Sequence, residues 1–282
     1  MQPLWPEHEA WLADYKMYLS HKREPSTVKM YLAEVKHFLD WLEVRNKHLS
    51  HLSQADVISF RDEMVGRGMK TATINKWVSI ITSFHRWAIE NEILTEQMAK
   101  RLRLDEDRRD RPRWLSQEEE RHLLEVASVE RNPFRKSRNE ALIHIMMYAG
   151  LRIEEVSLLE FNSMDYGDLV IYEDGEERRR VPIQSNLQLK LLEWMKHRSQ
   201  SSKLFHQNSP FLFVTERSGH MQPRSIQFVV EGFSAKTEFP ITCQMLRHTF
   251  CRRLVEQNAP IEQIKEWAGH KTIQSTIQYF DH

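Results

Sequence analysis

Apolar side chains at three- and four-residue spacing dominate the first hundred residues, and few chain reversals interrupt them. Tyr31, Val35, Phe38, Leu39 and Leu42 fall on one helical face. A second run after Ser53 holds Val57, Phe60 and Met64 and stops at Gly66 and Gly68. A third, from about Thr71 to Asn91, carries Ile74, Trp77, Val78, Ile81, Phe84 and Ala88 on one stripe. The spacing predicts three or four amphipathic helices in a small bundle. Pro25 and Ser26 precede the first run, and Ser26 is the expected N-cap.

With only 8 Gly and 10 Pro in 282 residues, a turn-rich all-β sandwich is excluded, and no fixed repeat marks a solenoid. Length predicts about two domains. The segment Leu104 to Arg113, LDEDRRDRPR, is almost wholly charged and reads as a solvated linker between residues 1–103 and 114–282. Ser116 before Gln117 and three glutamates predicts a capped helix opening the second domain. That domain reads as mostly helical with one β interruption. Asp168 to Tyr172 and Arg179 to Ile183 flank an acidic turn, Glu173 to Glu177, and predict an antiparallel hairpin. Phe211 to Val214 is a candidate third strand. The fold class expected is mainly α, with a small antiparallel sheet in the second domain.

Forty basic residues balance forty acidic ones, so nucleic-acid binding would have to rest on local faces. Two cysteines, Cys243 and Cys251, make no disulfide framework. The N-terminus lacks a secretory signal pattern. The longest apolar run, Ala141 to Leu151, contains His144 and is too short for a membrane span. A cytoplasmic protein is expected. No metal-ligand cluster, HExxH motif or Walker A loop is visible, so the expected cofactor is none and the expected metal is none.

Four stretches of the second domain carry chemistry. In YAGLRIEEVSLLEF, Gly150 stops one helix and Arg152 sits at the break before the next, where backbone N–H groups are free. In QMLRHTFCRRL, Leu246, Phe250 and Leu254 form a buried stripe, with Arg247 and His248 one step off it and Thr242 as the expected N-cap. In WAGH, Gly269 is a left-handed helix stop and His270 opens the next loop. Tyr279 follows in STIQYFDH. Taken singly, each of these fits an ion pair or a packing residue.

Their order resembles the tyrosine recombinase (phage integrase) family. AGLRIEEV is similar to that family's TGLRxSEL box at Arg152 and Glu155. QMLRHTF is similar to HxLRHTF at Arg247 and His248. AGHKTIQSTIQY is similar to LGHxxxxxTxxxY at Gly269, His270, Thr276 and Tyr279. The hairpin ending RRVPI resembles the family's KERxVPL strand, and residues 7–103 are loosely similar to its core-binding helical domain.

The resemblance implies DNA breakage and rejoining at specific sites, with Tyr279 as nucleophile forming a 3′-phosphotyrosine and a free 5′-hydroxyl. Arg152 and Arg247 suit the developing charge on nonbridging oxygens, because guanidiniums bind such oxygens bidentately. His270 can donate to the phosphate or assist proton transfer. The phosphotyrosine ester keeps the bond energy, so rejoining asks for neither ATP nor a metal. Partners implied are a double-stranded DNA recombination site and a homotetramer on paired sites, with the free protein monomeric. Lys29, Lys36, Lys70, Thr73, Asn75 and Lys76 in the first domain and Arg224 in the second are candidate DNA contacts. Transposon-encoded resolvases and Xer-type recombinases are the most similar members, which suggests resolution of cointegrates or multimers of a mobile element.

Two departures stand out. Gln244 occupies the place of the family's first box-two His; an amide can bond a phosphate oxygen but exchanges no proton near neutral pH. The hairpin lysine, the family's general acid, is missing: Asp174 stands at its place and no Lys lies between Lys136 and Lys190. Arg178, nearest the turn, is the first substitute to consider, with Arg179 and Arg180 behind it, although guanidinium is a poor proton donor. A different acid or a group from a partner is also open. These departures leave two rival readings, a DNA-binding architectural protein with impaired catalysis and a type IB topoisomerase-like relaxing enzyme.

Overall fold

The structure is a computed structural model, described here for residues 5–94 and 112–280. The chain divides into two compact units, Met1–Arg109 and Asp110–His282. The expected linker, 104–113, lies outside the described residues but for its last two.

Among the described residues, four α-helices build the first unit: α1 (Pro6–Ser20), α2 (Pro25–Val44), α3 (Gln54–Gly66) and α4 (Thr71–Glu90). The apolar stripes read from the sequence meet in its core, where Val35, Phe38, Leu42, Phe60, Trp77 and Phe84 are buried. The start of α2 differs from expectation. Pro25 occupies the first turn and Glu24 the cap, so Ser26 lies inside the helix. Proline suits that first turn because its missing N–H would be unpaired there anyway.

The second unit runs α5 (Gln117–Ser128), α6 (Pro133–Tyr148), α7 (Ile153–Leu158), a three-stranded sheet, then α8 (Ser185–Ser199), α9 (Leu204–Gln207), α10 (Pro223–Ser234), α11 (Cys243–Glu256), α12 (Ile261–Ala268) and α13 (Gln274–Ile277). Ser116 caps α5, accepting from the Glu119 N–H, while the Glu119 carboxylate accepts from the Ser116 N–H. Helix α6 is buried along the whole run Ser137–Met147, which accounts for the long apolar stretch there. Strands β1 (Met164–Asp165), β2 (Asp168–Glu173) and β3 (Glu176–Pro182) pair antiparallel in sequence order. The hairpin turn has shrunk to Asp174 and Gly175, both with positive φ, as a two-residue type I′ connection requires. The third strand is Met164–Asp165 rather than Phe211–Val214. Leu212, Phe213 and Val214 are fully buried in succession, so that segment threads the core, bonded to Leu159 and Met221, instead of presenting one face of a sheet.

Candidate active site

Three backbone breaks bring the chemistry-bearing residues together. Gly150 ends α6 at φ 62°, and a Cβ there would lie 2.2 Å from the ring of Phe250 on α11. Only glycine lets the two chains come so close. Arg152 then caps α7, its N–H bonded to the Glu155 carboxylate at 2.7 Å. Thr242 caps α11 by accepting from the Met245 N–H at 3.1 Å, which sets Arg247 one turn into the helix. Gly269 ends α12 in the left-handed conformation and hands His270 to the following loop.

Arg247 is buried and donates through its two terminal nitrogens to the carbonyls of Gly150 and Ala268. It therefore fastens the ends of α6 and α12 to α11. Arg152 donates to Glu155 at 2.9 Å and to the Gly269 carbonyl at 2.5 Å. Its side chain stays 41% exposed, with donors left for an anion. It lines two cavities. One, of about 430 Å³, it shares with Arg247 and Gln244. The other, a cleft of about 1290 Å³, it shares with the hairpin residues Glu173, Asp174 and Arg178 and with His270 and Lys271.

The three hairpin arginines have separate roles. Arg178 lines the cleft and pairs with Glu173 at 3.1 Å. Arg180 faces solvent, held by Glu177 and Asp165 at 2.8 Å each. Arg179 turns inward between them, following strand alternation. It is buried, bonded to both oxygens of Glu155 at 2.7 and 2.9 Å and to the Trp267 carbonyl at 2.9 Å. So Glu155, although buried, stays ionised: Arg179 and then Arg152 hold its carboxyl below the usual range against the opposing pull of burial. This buried pair was not singled out from sequence. Its one signal was the inward strand position of Arg179.

His270 bonds Thr276 Oγ1 through Nδ1 at 2.9 Å. Burial and then the charges of Arg247 and Arg152 lower its pKa to about 4. His248 is lowered to about 4 by burial and Arg247. Both rings flank Tyr279, with centroids 5.5 Å (His248) and 6.1 Å (His270) away. Tyr279 is 1% exposed and lines neither cavity. Burial raises its phenol pKa, and the neighbouring Cys251 thiol adds to the rise. Arg252 holds the Tyr279 carbonyl at 2.9 Å. The arrangement offers an anion site at Arg152, a neutral histidine beside it, and a tyrosine packed behind that histidine. Sequence reasoning passed over Cys251 as a partner of Tyr279, because only the fold brings them together.

Among the candidate DNA contacts, Lys29, Lys70, Thr73 and Lys76 are exposed. Lys36 is half-buried, 3.8 Å from Asp40. Asn75 is buried in α4, facing away from solvent. Arg224 is exposed, 3.4 Å from Glu231 and stacked over the Phe228 ring. No group of His, Cys, Asp and Glu among the described residues is arranged to hold a metal ion. No helix among them is long and apolar enough to cross a membrane.

Comparison with known proteins adds independent findings. Residues 113–282 match the model of the phage integrase family, and residues 12–92 that of the phage integrase N-terminal SAM-like domain. The tyrosine recombinase XerC of Bacillus licheniformis is 25% identical over 259 residues, covering 90% of this chain and 84% of its own. The tyrosine recombinase XerD of Oceanobacillus iheyensis is 25% identical over 263 residues, covering 91% and 87%. Among solved structures, the Tn1549 transposon integrase in complex with circular intermediate DNA superposes with a TM-score of 0.77 at 18% identity, over 96% of this chain and 95% of that one. A lambda integrase dimer bound to a COC′ core site gives 0.72 at 15% identity, over 97% and 95%.

Proposed function

This chain belongs to the phage integrase family, and from that premise we infer a site-specific DNA recombinase that cuts and rejoins DNA through a phosphotyrosine. The observation that supports this most is the fastening of Arg247 to Gly150 and Ala268 and of Arg152 to Gly269. Guanidiniums from two separate motifs are anchored on the backbone of the third, and Arg152 lines both the cavity it shares with Arg247 and the cleft it shares with His270.

In this reading the scissile phosphate binds at Arg152 and Arg247, whose charges stabilise the pentacoordinate transition state. Gln244, on the wall of the smaller cavity with both arginines, donates an amide hydrogen bond to a nonbridging oxygen. His270, neutral at physiological pH, takes the Tyr279 proton as the phenol oxygen attacks. Arg178 contributes charge to the cleft. Because Tyr279 is packed away from both cavities, the segment from Gln274 to Phe280 has to shift when DNA binds. Lys29, Lys36, Lys70, Thr73, Lys76 and Arg224 contact phosphates, whereas Asn75, buried, supports α4. The biological role in this reading is the resolution of multimers or cointegrates of a mobile element, in the cytoplasm. Four protomers act on two paired sites, and the free protein is a monomer.

The test begins with a randomised pool of duplexes carrying a nick near the centre. Detergent-resistant protein–DNA adducts are captured and the recovered duplexes sequenced. A recombinase gives one enriched site and exchange between two duplexes that bear it. An architectural protein gives enriched binding without adducts, and a relaxing enzyme gives adducts without exchange.

A further inference from the structure

The hairpin turn leaves the leaving 5′-oxygen without an evident proton donor, and the cleft beside it holds one. Asp174, the residue at the tip, carries a carboxylate. Of the hairpin arginines, Arg179 is consumed by Glu155 and Arg180 by Glu177 and Asp165, while Arg178 is paired with Glu173. A guanidinium is in any case a poor acid.

The same cleft of about 1290 Å³ is lined by that turn and by the segment Gly269–Lys271. Two lysines line this cleft, Lys265 and Lys271. Neither forms an ion pair or a side-chain hydrogen bond among the described residues. Lys265 sits on α12 between Glu262 and Glu266, both also on the cleft wall. Lys271 directly follows His270, on backbone that Arg152 fixes by its bond to the Gly269 carbonyl. Its ammonium is exposed, on a stem long and flexible enough to reach a phosphate held by Arg152.

We propose that Lys271, on the lining of the same cleft, is the general acid of strand cleavage and takes over the proton transfer that a hairpin lysine would otherwise perform. The proposal rests on the recombinase reading above. As the Tyr279 oxygen bonds to phosphorus, the bond from phosphorus to the 5′-oxygen breaks. The Lys271 ammonium gives that oxygen its proton, and the Tyr279 proton passes to His270. In rejoining, the Lys271 amine takes the proton back from the attacking 5′-hydroxyl while His270 returns its proton to the departing phenol oxygen. No oxidant, metal or nucleotide enters the balance.

The experiment uses the full chain and the duplex recovered by adduct capture, made in two forms: with the ordinary 5′-bridging oxygen, and with sulfur at that atom. Sulfur leaves as a stable thiolate and needs little protonation. Single-turnover cleavage of the oxygen duplex should fall about 100-fold in Lys271→Ala and in Lys271→Arg, within the range that general acids contribute. Both should return to within a few-fold of wild type on the sulfur duplex. Lys265→Ala should cleave the oxygen duplex at nearly the wild-type rate. Lys271→Arg keeps the charge, so it separates proton donation from phosphate binding. Wild-type rates for Lys271→Ala on the oxygen duplex, or equal loss on both duplexes, overturn the assignment and leave the recombinase reading intact. The sulfur-rescued defect appearing in Lys265→Ala instead also overturns it. Failure of the wild type to form an adduct on either duplex refutes the recombinase reading, and the assignment with it.

Discussion

A terminal nitrogen of Arg152 donates to the backbone carbonyl of Gly269 over 2.5 Å, joining the start of α7 to the end of α12 across 117 residues of chain. The bond holds only while Gly269 keeps φ 62° and ψ 44°. A Cβ at that position would also stand 2.8 Å from Arg179 Nη1, and Arg179 has no freedom to retreat, being fixed by Glu155 and Trp267. A non-glycine residue in the left-handed region costs about 1–2 kcal/mol by itself. Gly269→Ala should therefore lower stability by at least that much in urea denaturation and slow single-turnover cleavage by about tenfold or more, through displacement of Arg152 and His270.

Truncating the two active-site arginines should separate chemistry from stability. Each removes a charged donor from the transition state, and loss of one such donor slows reactions by roughly 10²–10³. Arg152 is 41% exposed in its side chain and bonds the Gly269 carbonyl and Glu155, so Arg152→Ala should lower the melting temperature less than Arg247→Ala. Arg247→Ala strips the buried carbonyls of Gly150 and Ala268 of a partner. An unsatisfied buried acceptor costs about 1–3 kcal/mol, so this variant should also melt several degrees lower. Parallel cleavage assays and thermal melts check the contrast.

Where local pattern decides, the sequence is readable. The helices of the first unit follow from the apolar stripes through Val35 and Phe38 and through Trp77 and Phe84, since each buries one face. The breaks at Gly150 and Gly269 were legible too, because a left-handed turn restricts the residue types that can form it. What escaped depends on contacts remote in sequence. Phe211–Val214 has the composition of a strand, but Leu212, Phe213 and Val214 are buried in succession and pack as core, with only Phe211 in an isolated bridge to Glu160. Nothing near Glu155 announces that Arg179 will neutralise it, and nothing near Tyr279 announces that the phenol is packed beside Cys251.

That Glu155–Arg179 pair should be expensive to break. Both partners are largely buried, the Glu155 side chain 16% and the Arg179 side chain 6% exposed. Removing one member leaves the other charge uncompensated, at a typical cost of about 3–5 kcal/mol. Glu155→Ala should fall in this range by urea denaturation, whereas Glu177→Ala, which leaves the exposed Arg180 paired with Asp165, should change stability by less than about 1 kcal/mol.

The pH response of the site follows from its two histidines. Both are lowered to about 4 in the folded chain, while an unfolded histidine binds its proton near pH 6.5. Between these values the unfolded state takes up protons that the folded state refuses. Their contribution is thus fully present above about pH 6.5 and is lost as pH falls toward about 4. In urea titrations at successive pH values, His270→Gln should lose less stability than wild type over that interval. Cleavage by the wild type should show no histidine step near pH 6.5, since His270 is already neutral there. A step at that pH that disappears in His270→Gln would contradict the lowered value.

Tyr279 supplies the last prediction. Its hydroxyl lies against Cys251 rather than in the cleft, with the His248 and His270 rings beside it. Tyr279→Phe removes one hydroxyl, so DNA binding should persist, stability should move by no more than about 1.5 kcal/mol, and the covalent adduct should vanish. Release of the phenol toward a phosphate at Arg152 must also uncover Cys251, which is fully buried in the free chain. In a Cys243→Ser background, a maleimide should react with Cys251 slowly in the free protein and several-fold faster once the captured duplex is bound. If DNA leaves that rate unchanged while cleavage proceeds, Tyr279 reaches the phosphate without vacating its pocket, and the required shift of Gln274–Phe280 is wrong.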